Sequence, residues 1–244
     1  MNIETTDLAG VLVATPAGRL DLTSYTPLRD GLLKLAADAP LALVVRLGPG
    51  FEVPSATMLS VFTTVGMRIS QWPDIPLVLL AETSEHGDQL HTSGVARFVR
   101  TTGDIEEALD AVERPPLRRF RSVPLPNSPA APIMARAVAR EVCELWDVPR
   151  LSDDAVLVVS ELVENAVRHA HSESVLRVEL RPSGLSLAVK DFAPEVPVRE
   201  SPEPDVPGHR GVQLVDKISV AWGCTPSSDG GKIVWAVLGL RGSE

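Results

Sequence analysis

The chain has 244 residues, which is too long for one compact domain with a single core and sufficient for two domains of about 100–150 residues. Hydrophobic residues make up 44% of the sequence and charged residues 23%, a balance that excludes wholesale disorder, collagen and a disulfide scaffold. The net charge is −9, and residues 1–112 carry fourteen Asp and Glu against seven Lys and Arg, so we do not expect nucleic acid as a direct partner.

The two cysteines, Cys143 and Cys224, lack the spacing of a zinc site or a redox pair. Both are expected to be small core hydrophobes in a reducing compartment. No apolar run approaches the ~20 residues that a membrane span needs, and the amino terminus lacks the pattern of a secretion signal. We therefore expect a cytoplasmic protein with no membrane partner.

The first hundred residues alternate between segments typical of strands and of helices. Strands are predicted at Gly10–Ala14, Leu41–Leu47, Pro76–Ala81 and Val95–Val99. Helices are predicted over Leu28–Ala36, from near Ser55 to about Ser70, and over Asp104–Val112. Strands that alternate with helices favour an α/β sheet with helical cover.

Four segments of this first part resemble STAS domains, the modules found in bacterial anti-anti-sigma factors, stressosome proteins and anion-transporter tails. They are GRLDL at 18–22, LRDGLLKL at 28–35, LALVVRL at 41–47 and DIEEALDAV at 104–112. The resemblance covers residues 8–112 and implies a STAS-type α/β domain, to which we assign residues 1–112.

The STAS resemblance also implies a phosphoacceptor serine at the start of a helix. Ser55 aligns with that serine, although Val53 replaces the aspartate and Ala56 the glycine of the family's Asp-Ser-Ser-Gly loop. Ser55 is therefore a candidate phosphoacceptor. The alternative is that its hydroxyl only caps the following helix, a position that serine favours.

The stretch 113–128 is predicted to be a linker between two domains. Six prolines lie between residues 115 and 132, and each fixes φ and removes a backbone donor. We interpret the cluster of Arg118, Arg119 and Arg121 as a solvated part of this linker rather than a nucleic-acid contact. The second domain is then expected at 129–244.

A helix predicted over Asp153–Ala170 is the most informative segment of the second half. Its apolar residues step by three and four positions, as one buried stripe requires: Val156, Val159, Val163, Ala166 and Ala170. Glu161 and Asn165 lie on the opposite face and are neighbours, because they are four residues apart.

This helix carries ELVENAVRHA at 161–170, which resembles the N-box of the ATPase superfamily that includes gyrase, the MutL repair protein and sensor histidine kinases. It is most similar to the short version in bacterial anti-sigma-factor serine/threonine kinases. The resemblance implies that Asn165 supplies an amide oxygen to Mg²⁺ on the phosphates of ATP, and that Glu161 is the general base. Both roles suit the groups, since a hard cation prefers oxygen ligands and a carboxylate can accept a hydroxyl proton.

A predicted pair of strands follows this helix. The strands are Val175–Leu180 and Leu185–Lys190, joined by a turn at Pro182-Ser183-Gly184, and they lead into Asp191. Asp191 aligns with the family's aspartate that accepts a hydrogen bond from the adenine amino group. The resemblance therefore implies that Asp191 selects the base.

The resemblance implies that the polar, proline-rich loop at 192–207 is a lid over ATP, with Arg199 as a candidate phosphate contact or, alternatively, a solvated side chain of this loop. The next segment resembles the family's glycine-containing motif at the start of a helix. Its Gly208, Arg210 and Gly211 are candidate phosphate contacts, because glycine admits close backbone approach and a helix amino terminus favours negative charge.

GGKIVWAV at 230–237 resembles the closing strand of the family, and Lys232 is assigned to the nucleotide site on that basis. Three departures weaken the match. Ala193 and Glu195 replace both glycines of the family's Asp-x-Gly-x-Gly motif. His209 stands where the first glycine of the phosphate motif is expected, and Ile233 where a threonine hydroxyl is expected near adenine. A missing hydrogen bond costs on the order of 1 kcal/mol, about fivefold in affinity.

These resemblances predict a STAS-type α/β domain followed by a two-layer α/β sandwich of the Bergerat (GHKL) ATPase type. The leading hypothesis is a serine/threonine protein kinase of the anti-sigma-factor type that uses ATP and Mg²⁺. Its partners would be a sigma factor or a STAS-domain antagonist, and a homodimer is an open possibility.

Two other hypotheses remain open. One is a non-enzymatic partner-switching protein that binds regulators with or without nucleotide, as the departures from the motifs indicate. The weaker one is a sensor histidine kinase. No segment before residue 129 is typical of a long dimerising helix pair with a phosphoacceptor histidine, and His86 and His91 lie in the STAS-like part.

Overall fold

The chain forms two compact units, Met1–Pro115 and Pro116–Glu244, each with its own sheet and its own core. The computed structural model describes residues 1–110, 112, 119–170, 172–192 and 210–240, with side chains from residue 214 onward in the last range. Both units combine a sheet with packed helices, which confirms the predicted α/β class. Among the described residues, no helix is long and apolar enough to cross a bilayer.

The first unit is a mixed sheet with helices. Its strands are β1 (Asn2–Leu8), β2 (Val11–Arg19), β3 (Ala42–Leu47), β4 (Phe51–Glu52), β5 (Leu77–Ala81) and β6 (Arg100–Thr102). Its helices are α1 (Leu22–Ala37), α2 (Ser60–Gln71), α3 (Ser84–Thr92) and α4 (Ile105–Asp110). The strand order is β1-β2-β3-β5-β6, with β4 beside β2, and every pair except β1–β2 is parallel. The central strands read as continuous apolar runs because both of their faces are buried.

Two features of the first unit differ from the sequence prediction. Strand β1 is an addition, joined to β2 by a two-residue turn in which Ala9 and Gly10 both have positive φ, 54° and 89°. Such a turn matches the twist of a hairpin. The predicted strand over Val95–Val99 is wrong, since Val95–Arg97 form a 3₁₀ turn and the strand begins only at Arg100.

The second unit is an antiparallel sheet covered by helices. Its strands are β7 (Arg119–Leu125), β8 (Ser174–Arg181), β9 (Gly184–Asp191), β10 (Ala221–Pro226) and β11 (Lys232–Leu238). Its helices are α5 (Ala130–Leu145), α6 (Ser152–His169) and α7 (Arg210–Ile218). The strand order is β10-β11-β9-β8-β7. Helices α5 and α6 pack on one face of this sheet and share a core with β8, β9 and β11.

Strand β7 corrects part of the linker prediction. Residues 119–125 lie in the stretch 113–128 that we predicted as a linker, but they pair with β8 over their whole length. The prolines misled the prediction because an edge strand, unlike a central one, tolerates a residue that lacks an N–H. Arg121 belongs to this strand, and its partly exposed guanidinium forms an ion pair of 2.5 Å with Glu141 on α5.

The two cysteines have different surroundings. Cys143 is fully buried in α5, which confirms that it is a small core residue. Cys224 is exposed on β10, and the prediction that it belongs to the core is wrong. Among the described residues its strand pairs with β11 alone and so forms an edge of the sheet.

Candidate functional site

Helix α6 presents two polar side chains beside a broad buried face. The buried residues on it are Ala155, Val158, Val159, Leu162, Val163 and Ala166. Glu161 and Asn165 are half-buried, and they lie about 6 Å apart along the helix axis. The helix runs from Ser152 to His169, close to the predicted 153–170. It therefore displays both side chains on one rigid element.

The surroundings of Glu161 raise the pKa of its carboxyl above the ordinary value. Partial burial is the main cause, the negative charge of Glu164 adds to it, and the positive charge of Arg168 acts in the opposite direction. A higher pKa makes the carboxylate a stronger proton acceptor. Glu161 is thus better suited to accept a hydroxyl proton than an exposed glutamate on the same helix.

Asp191 ends strand β9 and is buried, with 2% of its surface exposed. It pairs with Ser174 of β8 on one side and with Lys232 of β11 on the other. Because side chains alternate along a strand, Asp191 shares a face with Leu187 and Val189, which belong to the core under the helices. The carboxylate therefore faces the layer between sheet and helices.

Lys232 contacts Asp191 directly. Its Nζ lies 3.2 Å from Asp191 Oδ1, and both side chains are more than nine-tenths buried. The next residue, Ile233, pairs with Lys190 and points to the opposite face of the sheet. Residue 233 therefore lies on the other face from Asp191, and the expectation that it lies near adenine stays a prediction. The motif alone did not reveal the contact between Lys232 and Asp191, because only the strand register shows which side chain of β11 faces Asp191.

Gly231 fixes how closely β11 approaches β9. A Cβ at this position would collide with the carbonyl oxygen of Asp191 and touch Phe192 Cα. Only glycine fits without a shift of the backbone. The backbone N–H of Phe192, directly after β9, donates to Ser172 Oγ at 3.4 Å. This hydrogen bond joins the segment after α6 to the end of β9. The end of α6 and the end of β9 thus lie at the same edge of the unit.

The candidate phosphate contacts are only partly described. Arg199 and Gly208 lie outside the described residues. Arg210 and Gly211 form the first turn of α7, as the resemblance implied, and α7 is anchored to the core by Val215. Within α7, Asp216 accepts a hydrogen bond of 2.5 Å from the indole of Trp222.

Ser55, the candidate phosphoacceptor, is exposed and immediately precedes a 3₁₀ turn, Ala56–Leu59, that leads into α2. It occupies the N-cap position, but its side chain accepts no hydrogen bond from the backbone of that turn. Its Oγ lies instead 2.8 Å from Thr57 Oγ1. The preceding backbone is held by α3, since Gln89 donates to the carbonyl of Val53 at 3.3 Å. The capping interpretation therefore has no supporting hydrogen bond.

The donor set of the second unit fits a magnesium nucleotide by its chemistry. Asn165 offers an amide oxygen, a ligand that Mg²⁺ accepts, and a single protein ligand is ordinary when phosphates supply others. The buried carboxylate of Asp191 can accept from an exocyclic amine. The residues present are thus compatible with ATP and Mg²⁺ as the cofactors implied by the resemblance.

Comparison with protein families gives one match. Residues 125–238 match the model of the histidine kinase-like ATPase domain. This range contains α6, Asp191 and Lys232, and it begins at the last residue of β7. A comparison with curated proteins finds no match.

Several solved structures are similar to about half of the chain. An anti-sigma factor antagonist from Mycobacterium paratuberculosis is 21% identical, with 46% of this chain and 94% of that chain covered and a TM-score of 0.38. A variant of RsbS from Moorella thermoacetica is 19% identical, with 46% and 96% covered and a TM-score of 0.38. The anti-sigma factor antagonist SpoIIAA in its unphosphorylated form is 15% identical, with 46% and 96% covered and a TM-score of 0.35.

Proposed function

We propose that this chain is an ATP-dependent serine/threonine protein kinase of the anti-sigma-factor type, acting in the cytoplasm on a serine of a STAS domain. One observation carries the proposal above the others. The region that matches the histidine kinase-like ATPase domain holds Glu161 and Asn165 on one helix and a buried Asp191 at the sheet end. A STAS-domain antagonist or a sigma factor is the proposed partner, and two copies of the chain are proposed to associate.

Each residue has one role in this proposal. Asp191 accepts a hydrogen bond from the adenine amine, and Asn165 gives its amide oxygen to Mg²⁺. Bound ATP supplies the phosphoryl group, with its charge neutralised by the metal. Glu161 accepts the proton of the serine hydroxyl as the serine oxygen bonds to the γ-phosphorus and the bond to the β-phosphate oxygen breaks. The products are a phosphoserine and ADP.

Nucleotide binding by the intact protein tests the proposal most directly. We expect titration calorimetry with Mg·ATP to give a micromolar to millimolar affinity, at a stoichiometry of one per chain. The heat should fall when the ATP is replaced by UTP, because uracil has no exocyclic amine that could donate to the buried carboxylate. A protein that is folded by circular dichroism but gives no heat with Mg·ATP would remove the kinase proposal.

A second candidate function is a partner-switching protein without enzymatic activity. It is favoured by the contact between Lys232 and Asp191, because a carboxylate that already faces an ammonium at 3.2 Å has less need of an amine from a ligand. In this case a STAS domain would bind the protein equally well with and without nucleotide. Binding that strengthens at least about tenfold with Mg·ATP favours the kinase.

Ser55 is the proposed acceptor within the chain. We expect Ser55→Ala to remove the phosphate that labelled ATP transfers to the first unit, because the Ser55 hydroxyl is exposed and makes no capping hydrogen bond. Thr57→Val is the matched control, since it removes the hydroxyl that contacts Ser55 Oγ and leaves Ser55 in place. Phosphopeptide mass spectrometry measures the phosphate on the first unit of both variants. Phosphate that persists in the first unit of Ser55→Ala would contradict this assignment.

A further inference from the structure

The contact between Lys232 and Asp191 places a hydrogen-bond donor beside the carboxylate that is proposed to accept a hydrogen bond from the adenine amine. The Asp191 side chain is 2% exposed and that of Lys232 9%, with 3.2 Å between Nζ and Oδ1. The two residues are direct partners in the β9–β11 register, so they share the face of the sheet that lies under the helices. Gly231 holds β11 close to the backbone of Asp191. The spacing of this pair is therefore fixed by the sheet.

A carboxylate and an ammonium side by side form an acceptor next to a donor. The carboxylate accepts only, and the ammonium donates only, through three N–H groups. The Watson–Crick edge of adenine has the complementary order, because its N6 amine is a donor and the neighbouring N1 is an acceptor. When N6 donates to Asp191, a donor bonded to the same carboxylate is within reach of the neighbouring N1 if the Watson–Crick edge faces the pair.

We infer that Lys232 is a specificity-determining residue of the nucleotide site and that its ammonium donates a hydrogen bond to adenine N1. The inference rests on the proposed function, because it takes adenine as the ligand of Asp191. It assigns Lys232, which the sequence placed only in the nucleotide site, to the base. It also accounts for the burial of the ion pair, because a buried pair of charges does not reliably stabilise the folded protein by itself.

Lys190 provides a matched control on the same strand. It immediately precedes Asp191 and points to the other face of the sheet. Its Nζ contacts Asp229 at 2.8 Å, and this hydrogen bond, with one from Ser227, lowers the pKa of Asp229 to about 2. A Lys190→Met variant therefore removes an equivalent charge next to Asp191 without touching the face that carries Asp191 and Lys232.

The test compares ATP with 1-deaza-ATP, an analogue in which C–H replaces N1. This analogue keeps the N6 amine and the triphosphate, so only the acceptor for Lys232 is lost. GTP is less informative, because its N1–H and O6 also offer a donor next to an acceptor. Binding is measured by titration calorimetry on the full chain with Mg²⁺, for the wild type, Lys232→Met, Lys232→Gln and Lys190→Met.

We expect the wild type and Lys190→Met to bind 1-deaza-ATP about tenfold more weakly than ATP, as a hydrogen bond from a charged donor requires. In Lys232→Met the two nucleotides should bind within about twofold of each other. Lys232→Gln, which keeps a neutral N–H donor, should give an intermediate ratio. Circular dichroism and thermal unfolding establish that each variant is folded.

Three outcomes would overturn the inference. The first is a wild type that binds ATP and 1-deaza-ATP equally, which needs no variant and is independent of any folding defect. The second is a tenfold preference for ATP that survives in Lys232→Met. The third is a wild type that binds neither nucleotide, and this outcome alone also removes the proposed function.

Discussion

Replacing Glu161 by glutamine is expected to lower the rate of phosphate transfer to a STAS-domain serine by about 10²–10⁴-fold, the usual contribution of a general base. Glutamine keeps the size and polarity of the side chain but cannot accept the serine proton. The affinity for Mg·ATP should change by less than about twofold, because in the proposed site Glu161 acts on the serine hydroxyl. Initial rates with labelled ATP and calorimetric titrations measure the two quantities.

Glu164→Gln is the matched control for this experiment. Glu164 lies three residues further along α6 and is exposed, so it should not reach the reacting hydroxyl. Its charge does raise the pKa of Glu161, and its removal should lower that pKa without abolishing transfer. Equal rates in the wild type and Glu161→Gln would contradict the assigned base.

The raised pKa of Glu161 also sets the direction of the pH dependence. Burial, then Glu164, favours the protonated carboxyl, which cannot act as a base. The transfer rate should therefore rise with pH through a pKa above the ordinary glutamate value. For stability the sign is opposite, because a raised pKa in the folded state favours folding at low pH and this contribution is lost as the pH rises through the folded-state pKa.

Asn165→Ala is expected to remove the magnesium-dependent part of ATP binding. The proposed site has one side-chain oxygen from α6 for the metal, and alanine offers none. Calorimetry at concentrations that saturate the wild type should give the variant no more heat in Mg²⁺ than with the metal chelated. With the metal chelated, both proteins should bind ATP equally weakly, because the adenine contact at Asp191 is unchanged.

Asn165→Asp separates the loss of the metal ligand from a loss of structure. A carboxylate oxygen can also bind Mg²⁺, so this variant should recover magnesium-dependent binding at least in part. A wild type whose ATP affinity is the same with and without Mg²⁺ would remove Asn165 from the role of metal ligand. Equal losses in the alanine and aspartate variants would point to packing instead.

The hydrophobic pattern predicted the central elements of both units because each of them is buried in a regular way. Strands β3 and β5 are covered on both faces, and α6 buries one continuous stripe, so their apolar residues follow a clear pattern. Strand β1 was not predicted because its side chains are almost all exposed and only Ile3 among them packs against the core. Its sequence therefore lacks the alternation of apolar and polar residues from which a strand is predicted.

The candidate site was predictable in its parts but not in its contacts. The motifs located Glu161, Asn165 and Asp191, and the helix spacing placed the first two on one face. The ion pair between Asp191 and Lys232 depends on the register of two strands separated by 40 residues. A shift of one residue in that register would put Ile233 in place of Lys232.

Strand β7 has a consequence for how the second unit can be produced by itself. Its seven residues cover the outer edge of β8, and they lie before residue 129, where the sequence places the start of this domain. A fragment cut at 129 would leave the backbone groups of β8 open to pairing with another chain, a known source of aggregation. A fragment that begins upstream of Arg119 keeps that edge closed and is the appropriate starting point for isolating the unit.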